Sequence, residues 1–188
     1  MAILIGGLAI FFAVHVVRIV APGWRERMLA ANAGRWKGLY ALASLVGFAL
    51  IVWGWIVYRP EAPQLYVPPG WGRHAAMLLV PAGLIALAAA YQPAGRIKAT
   101  LQHPFLVGVM LWSLAHLLAN GDLAGVLLFG AFLGYAAIDL VAALARPGRV
   151  AFATWRGDAV AVGAGLALSA VLILGLHAVL FGVSPLAG

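Results

Sequence analysis

Six long apolar runs fill most of this chain, and they leave very few folds open. Residues 2–21, 38–58, 75–91, 104–119, 123–145 and 158–182 are nearly unbroken apolar stretches, separated by short segments rich in Pro, Gly and charge. At about 1.5 Å per residue, roughly 20 residues cross a hydrocarbon core of about 30 Å. Backbone amides at that depth find no water, so each run must satisfy its own hydrogen bonds as a helix. Hydrophobic residues make up 65% of the sequence, charged residues only 9%, and mean hydropathy is +1.04. A soluble domain, at roughly half apolar and a quarter charged, could not bury so much apolar surface. The fold class that follows is all-α: a polytopic membrane bundle of about six transmembrane helices, in one domain covering 1–188.

The punctuation supports these limits. The first run stops at Pro22-Gly23, the second at Arg59-Pro60, and the third lies between Pro68-Pro69-Gly70 and Gln92-Pro93. Pro104 suits the first turn of the fourth. Asn120-Gly121-Asp122 turns the chain, with Gly121 suited to a left-handed C-cap and Asp122 to capping the next N-terminus. Arg146-Pro147-Gly148 closes the fifth run, and Pro185 lies beyond the sixth. The third and fourth runs are short for a full crossing.

Basic residues set the orientation. Arg25, Arg27, Arg35 and Lys37 follow the first run, Arg96 and Lys98 the third, and Arg146, Arg149 and Arg156 the fifth. These three predicted loops hold nine of the twelve Lys and Arg, while the opposite face has Arg59 and Arg73. Positive-inside places both termini outside, with a bacterial inner membrane as the expected location. The net charge of +7 is thereby a matter of topology, and nucleic acid is not an expected partner. The lipid bilayer is. Cysteine is absent, which excludes disulfides, thiolate ligands and Cys nucleophiles. The first run has no basic residues before it and exceeds a signal-peptide core, so it reads as a retained helix. Trp53, Trp55, Tyr58, Tyr66, Trp71 and Tyr91 fall near span ends as interface anchors. Gly130-x-x-x-Gly134 offers a close helix approach, a spacing common by chance among 23 glycines.

Polar groups at membrane depth carry whatever chemistry there is. His15 lies in the first run with Arg18 one turn later on the same face. His103 opens the fourth run, and His116 follows roughly 20 Å further along the axis. His74 precedes the third run, and His177 lies near the outer end of the sixth. By depth, His15, Arg18, His103 and Asp139 belong to the inner half, and His116, His177 and His74 to the outer half. His74, His103 and His177 also fit span boundaries. His15 and His116 sit among apolar residues, where either a helix-to-helix hydrogen bond or a cofactor would satisfy them. Asp139, the one carboxylate well inside a run, calls for a basic partner such as Arg18 or Arg146.

Two histidines from different helices suffice as axial ligands of b-type haem inside a bundle. Arg18 is then placed to pair with a propionate. A closed zinc site needs four ligands, and no tight His/Asp cluster is visible. P-loop, GxSxG and HExxH patterns are absent.

In this setting the chain resembles the NnrU family of bacterial membrane proteins, itself similar to the plant 15-cis-ζ-carotene isomerase. The matches are His15 with Arg18, Gly38-Leu39-Tyr40, His103-Pro104, Trp112-Ser113-Leu114-Ala115-His116, Leu117-Leu118-Ala119-Asn120-Gly121-Asp122, Phe129-Gly130, and His177 ahead of Gly182. The resemblance implies a six-span bundle binding haem b, with His15 and His116 as metal ligands; depth, which puts His103 in the inner half with His15, makes His103 the main replacement for His116. Arg18 and His103 are the remaining cofactor-binding candidates. For the isomerase branch it implies redox-dependent isomerisation of a polyene, and for the NnrU branch a role in nitrite and nitric oxide metabolism. Ser113 stands where the isomerase has a cysteine, so that thiolate is unavailable here.

The expected function is thus a haem-binding membrane protein supporting denitrification-related or isomerase-like redox chemistry on a hydrophobic or redox-active small molecule. Two other classes stay open: a membrane thiol methyltransferase, and a non-catalytic carrier or assembly factor for haem. Reporter fusions at Arg27, Lys98 and Arg149 are expected to read cytoplasmic, and fusions after Asp122 and at Gly188 to read outside. A cytoplasmic C-terminus would overturn the six-span arrangement.

Overall fold

The structure is a computed structural model that describes residues 1–186; the chain end at Gly188, expected on the outer face, lies outside the described residues. Helices α1 (Ala2–Val20), α2 (Pro22–Tyr58), α3 (Gly72–Ala90), α4 (Arg96–Leu101), α5 (Pro104–Ala119), α6 (Leu123–Leu144), α7 (Trp155–Val171) and α8 (His177–Phe181) follow in order. Five stretches are long and apolar enough to cross a membrane, and α5 is a shorter apolar helix of 16 residues. Large apolar side chains cover the helix exteriors, among them Leu42, Leu45, Trp53, Leu78 and Val141. The chain is an all-α, multi-pass integral membrane protein.

Residues form two compact units, Met1–Tyr66 with Gly121–Ala131, and Val67–Asn120 with Phe132 onward. In the first, α1 and α2 run antiparallel at very close range. A Cβ on Gly7 would lie 2.6 Å from the Ile51 nitrogen, and one on Gly47 would lie 2.7 Å from the Phe11 nitrogen. At Gly54 a Cβ would strike the Leu4 backbone. Small residues let the backbones approach where lipid supplies no hydrophobic drive between helices. Leu4 is fully buried at this seam.

The basic segment after α1 is helical, which corrects the predicted loop. Pro22 starts α2, where its missing N–H costs nothing, and the following Arg, Glu, Met, Leu and Ala are good helix formers. A kink at Asn32 separates this amphipathic start from the apolar part. There Asn32 Oδ1 accepts the Arg35 amide at 2.9 Å, as an N-cap does. Arg27, Arg35 and Lys37 remain exposed.

The connection after α2 and the one before α6 form a clasp rather than a helical cap. Leu65 N and Tyr66 N donate to Gly121 O at 2.8 and 3.2 Å, and Leu123 N donates to Pro63 O. Gly121 is not left-handed; it is glycine because a Cβ would strike Tyr66 O. Asp122 caps α6 as expected, accepting Gly125 N at 2.7 Å. Trp55 packs edge-to-face on Phe129 at 5.6 Å, so it serves the interior, whereas Trp53, Trp71 and Tyr91 stay exposed.

In the second unit α3 and α5 are antiparallel, with Gly83 and Gly108 facing each other. A Cβ on Gly108 would come within 2.7 Å of Gly83 O. Gly165 of α7 meets Ile85 of α3 in the same way. Between α5 and α6, Leu106, Ala136 and Ala143 form a buried cluster with Val109, Met110 and Leu140. The connections before α5 and before α7 lock together. Asp158 accepts Arg96 N at 2.6 Å and Ile97 N at 3.0 Å, satisfying two orphan amides of α4. Gln102 exchanges hydrogen bonds with the Val150 backbone. Lys98 Nζ donates to Ala90 O and Gln92 O, where a cation suits the end of α3. Gly130 and Gly134 of α6 meet no atom within 4 Å of a Cβ position, so the close-approach role predicted for them falls to other glycines.

Gly54→Val is therefore expected to destabilise the α1–α2 pair by about 1–3 kcal/mol, the usual cost of overpacking. Gly130→Ala should be neutral. Detergent-resistant fold and monodispersity of both variants check this, and equal behaviour would mean the α1–α2 seam is loose.

Candidate functional site

The close approach of α1 to α2 fixes Phe11, and Phe11 fixes His15. The imidazole stacks on the Phe11 ring at 4.1 Å and meets the Tyr40 ring of α2 at 5.1 Å. Its Nδ1 lies 2.6 Å from Phe11 O one turn earlier. A carbonyl can only accept, so Nδ1 carries the proton and a neutral ring holds its lone pair on Nε2. Arg18, one turn on, is exposed. Ser44, one turn along α2 from Tyr40, has a buried Oγ with no hydrogen-bond partner among the described residues.

His116 repeats this arrangement in the second unit. Its Nδ1 lies 2.7 Å from Trp112 O, again four residues earlier, and its ring packs against the Trp112 indole at 5.1 Å. Trp112 is braced edge-to-face by Phe132 of α6 at 5.7 Å. Ser113, fully buried one turn before His116, has no hydrogen-bond partner for its Oγ among the described residues. The contrast is Ser169, whose hydroxyl donates to Gly165 O at 2.7 Å in the usual back-bond.

His177 is brought to His116. Their ring centres are 6.5 Å apart and the planes lie 23° from parallel. A π turn over Leu172–Leu176 interrupts the helix just before it, and α8 ends at Gly182 in the left-handed conformation. That turn brings Val183 O back to within 2.6 Å of His177 Nδ1, which fixes the same tautomer a third time. Depth in the sequence already groups His116 with His177. What the sequence does not announce is the π turn, since Leu172–Leu176 reads as ordinary apolar helix.

The other predicted residues are placed as follows. His103 precedes α5, and its carbonyl accepts Leu106 N and Val107 N, so its backbone starts the helix. His74 is exposed at the start of α3. Asp139 is buried in α6 and accepts from Tyr135 Oη at 3.2 Å. That places a phenol one turn away beside the carboxylate; Arg146 is exposed. Asp158, which pins α4, escaped sequence reading because it stands at a span end like any interfacial carboxylate.

Among the described residues no three or more His, Asp or Glu side chains gather tightly enough to hold a metal. Paired imidazoles with Nε2 as the lone-pair atom suit a metal that carries most of its own ligands. The family model described as NnrU protein matches residues 3–185. The chain belongs to the NnrU family. No curated protein and no solved structure matches it.

Asp139→Asn is expected to keep the Tyr135 hydrogen bond and near-native expression. Asp139→Leu, which removes the carboxylate that the half-buried Tyr135 hydroxyl donates to, should lose about 1–3 kcal/mol. Equal melting temperatures for the two would show that the carboxyl has no structural partner.

Proposed function

We propose that this NnrU-family protein binds b-type haem in the membrane, with His116 and His15 as the candidate iron-ligating imidazoles, each prepared within its own unit. The observation that carries the reading is the repeated motif of an aromatic residue four positions before a histidine. In each case the aromatic residue's carbonyl takes the Nδ1 proton and its ring braces the imidazole. Such an outer hydrogen bond orients a ligating histidine and raises its basicity, which is how metal-binding imidazoles are prepared. The donor set fits an iron porphyrin, since the macrocycle supplies four nitrogens and asks the protein only for axial ones. The buried hydroxyls of Ser113, one turn before His116, and Ser44, one turn after Tyr40, have no hydrogen-bond partner among the described residues and add polarity to the two helices.

Bound haem would supply one-electron redox chemistry. The chain's own residues position it and keep water away: Trp112, Phe11 and Tyr40 wall the imidazoles. Arg18 is the candidate propionate partner and His103 the reserve ligand. This reading assigns the protein to nitrite and nitric oxide metabolism or to isomerase-like redox chemistry on a hydrophobic small molecule in the bacterial inner membrane.

Purified protein is expected to show a Soret band and the paired visible bands of low-spin haem on reduction. His116→Ala should convert that spectrum to high spin or abolish it, with the protein still monodisperse, because one imidazole contributes little to packing between apolar helices. His74→Ala should leave it unchanged. A wild type that stays colourless after haem supplementation overturns the proposal.

A further inference from the structure

The junction of α4 with the start of α7 carries a side-chain cluster that the haem reading does not use. Arg96 Cζ lies 4.7 Å from the Phe152 ring centre and 5.3 Å from that of Trp155. The two rings meet edge to face at 5.2 Å. We infer that Arg96, braced by Phe152 and Trp155, binds the phosphate of an anionic phospholipid at the basic end of the second unit. The inference is independent of haem.

Three observations support it. The first concerns the hydrogen bonds of Arg96. Aromatic rings attract a cation through their quadrupole and leave its N–H fork to other acceptors. Among the described residues the guanidinium meets these two rings and no carboxylate or carbonyl. Bidentate phosphate recognition uses a planar fork of this kind, and bracing leaves less side-chain freedom to lose on binding.

The second is the carboxylate beside it. Asp158 would be the natural counter-ion, yet its two oxygens accept Arg96 N at 2.6 Å and Ile97 N at 3.0 Å. A Cβ on Gly95 would strike that carboxylate, so glycine is what lets it reach the amides. The junction is fastened on either side. Ala153 N and Thr154 N donate to Ala94 O at 2.7 and 3.1 Å, and a Cβ on Gly157 would strike Pro93 O. The backbone thus fixes Arg96 beside α7 while the acid is occupied.

The third is exposure. Arg96, Phe152 and Trp155 are all exposed, Trp155 by 63%. Exposed rings gain nothing from water, and amphipathic aromatic side chains settle at the headgroup level of a bilayer. Arg149 and Arg156, exposed in the same segment, keep it basic. Positive-inside puts such a segment at the cytoplasmic leaflet, whose anionic lipids attract it. A phospholipid offers both things this cluster can use: a phosphate for the fork, and glycerol and acyl carbons for the rings. Inorganic phosphate offers only the first.

The test titrates full-length protein in nonionic detergent with phosphatidylglycerol or phosphatidylcholine and counts retained lipid by native mass spectrometry. Phosphatidylglycerol is expected to bind more tightly. Arg96→Gln should lower its affinity roughly tenfold, the effect of losing one charge-assisted hydrogen bond, with the melting temperature unchanged. Phe152→Ala/Trp155→Ala, which keeps the charge and removes the brace, should lose less than that. Arg149→Gln removes the same charge from the same segment and should leave the affinity nearly unchanged. Equal affinity for the two lipids overturns the inference. So does an Arg149→Gln loss matching that of Arg96→Gln, which would mean diffuse charge attraction. Release of phosphatidylglycerol by millimolar inorganic phosphate would make this a free-anion site and overturn the lipid. Should Arg96→Gln melt early, the ring variant decides, and an unchanged affinity there overturns the site.

Discussion

Helices in lipid gain nothing from hiding apolar surface from one another, so this protein depends on how closely their backbones can approach. Glycine sets that distance at each intimate contact. Gly7, Gly47 and Gly54 seat α1 on α2, Gly83 and Gly108 seat α3 on α5, and Gly165 seats α7 on α3. At each position a Cβ would come within about 3 Å of a neighbour, so even alanine forces a backbone shift. Dispersion contacts, tiny singly, accumulate only at such separations. Ridges of Leu, Val and Ile elsewhere on these helices are exposed, as lipid-facing surface should be.

The histidine geometry follows from that spacing. Gly47 admits the Phe11 backbone, Phe11 holds the His15 ring, and Tyr40 approaches it from α2. In the other unit the contact of α3 with α5 holds α5, and Phe132 braces Trp112. In both, the imidazole satisfies one nitrogen on its own helix. Here the bond through Nδ1 is local, which orients the ring and leaves the neutral ring's lone pair on Nε2.

Much of the fold was legible because hydrocarbon depth imposes a length and a composition. The spans 104–119 and 123–145 agree with α5 and α6 to within a residue, and Asp122 caps where its position suggested. Legibility failed where polar sequence stays helical or apolar sequence stops being so. Arg25 and Arg27 looked like loop because charge marks the end of a membrane span, although Pro22 restarts a helix at once. Leu172–Leu176 looked like plain helix because no Pro or polar residue marks the π turn. Gly130 and Gly134 had the familiar spacing, but spacing says nothing about which face a neighbour occupies. The contacts instead use Gly47 and Gly54, seven residues and two turns apart on one face.

The candidate site was legible in its residues and less so in their grouping. Depth placed His116 and His177 together in the outer half, while the family resemblance drew attention to His15. A histidine near a span end is unremarkable in sequence, since snorkelling accounts for it. In the structure His177 gives its Nδ1 proton to Val183 O and lies beside His116. Each ring gives its Nδ1 proton to a backbone carbonyl, so the local turn around it, α5 for His116 and the return at Gly182 for His177, sets its orientation.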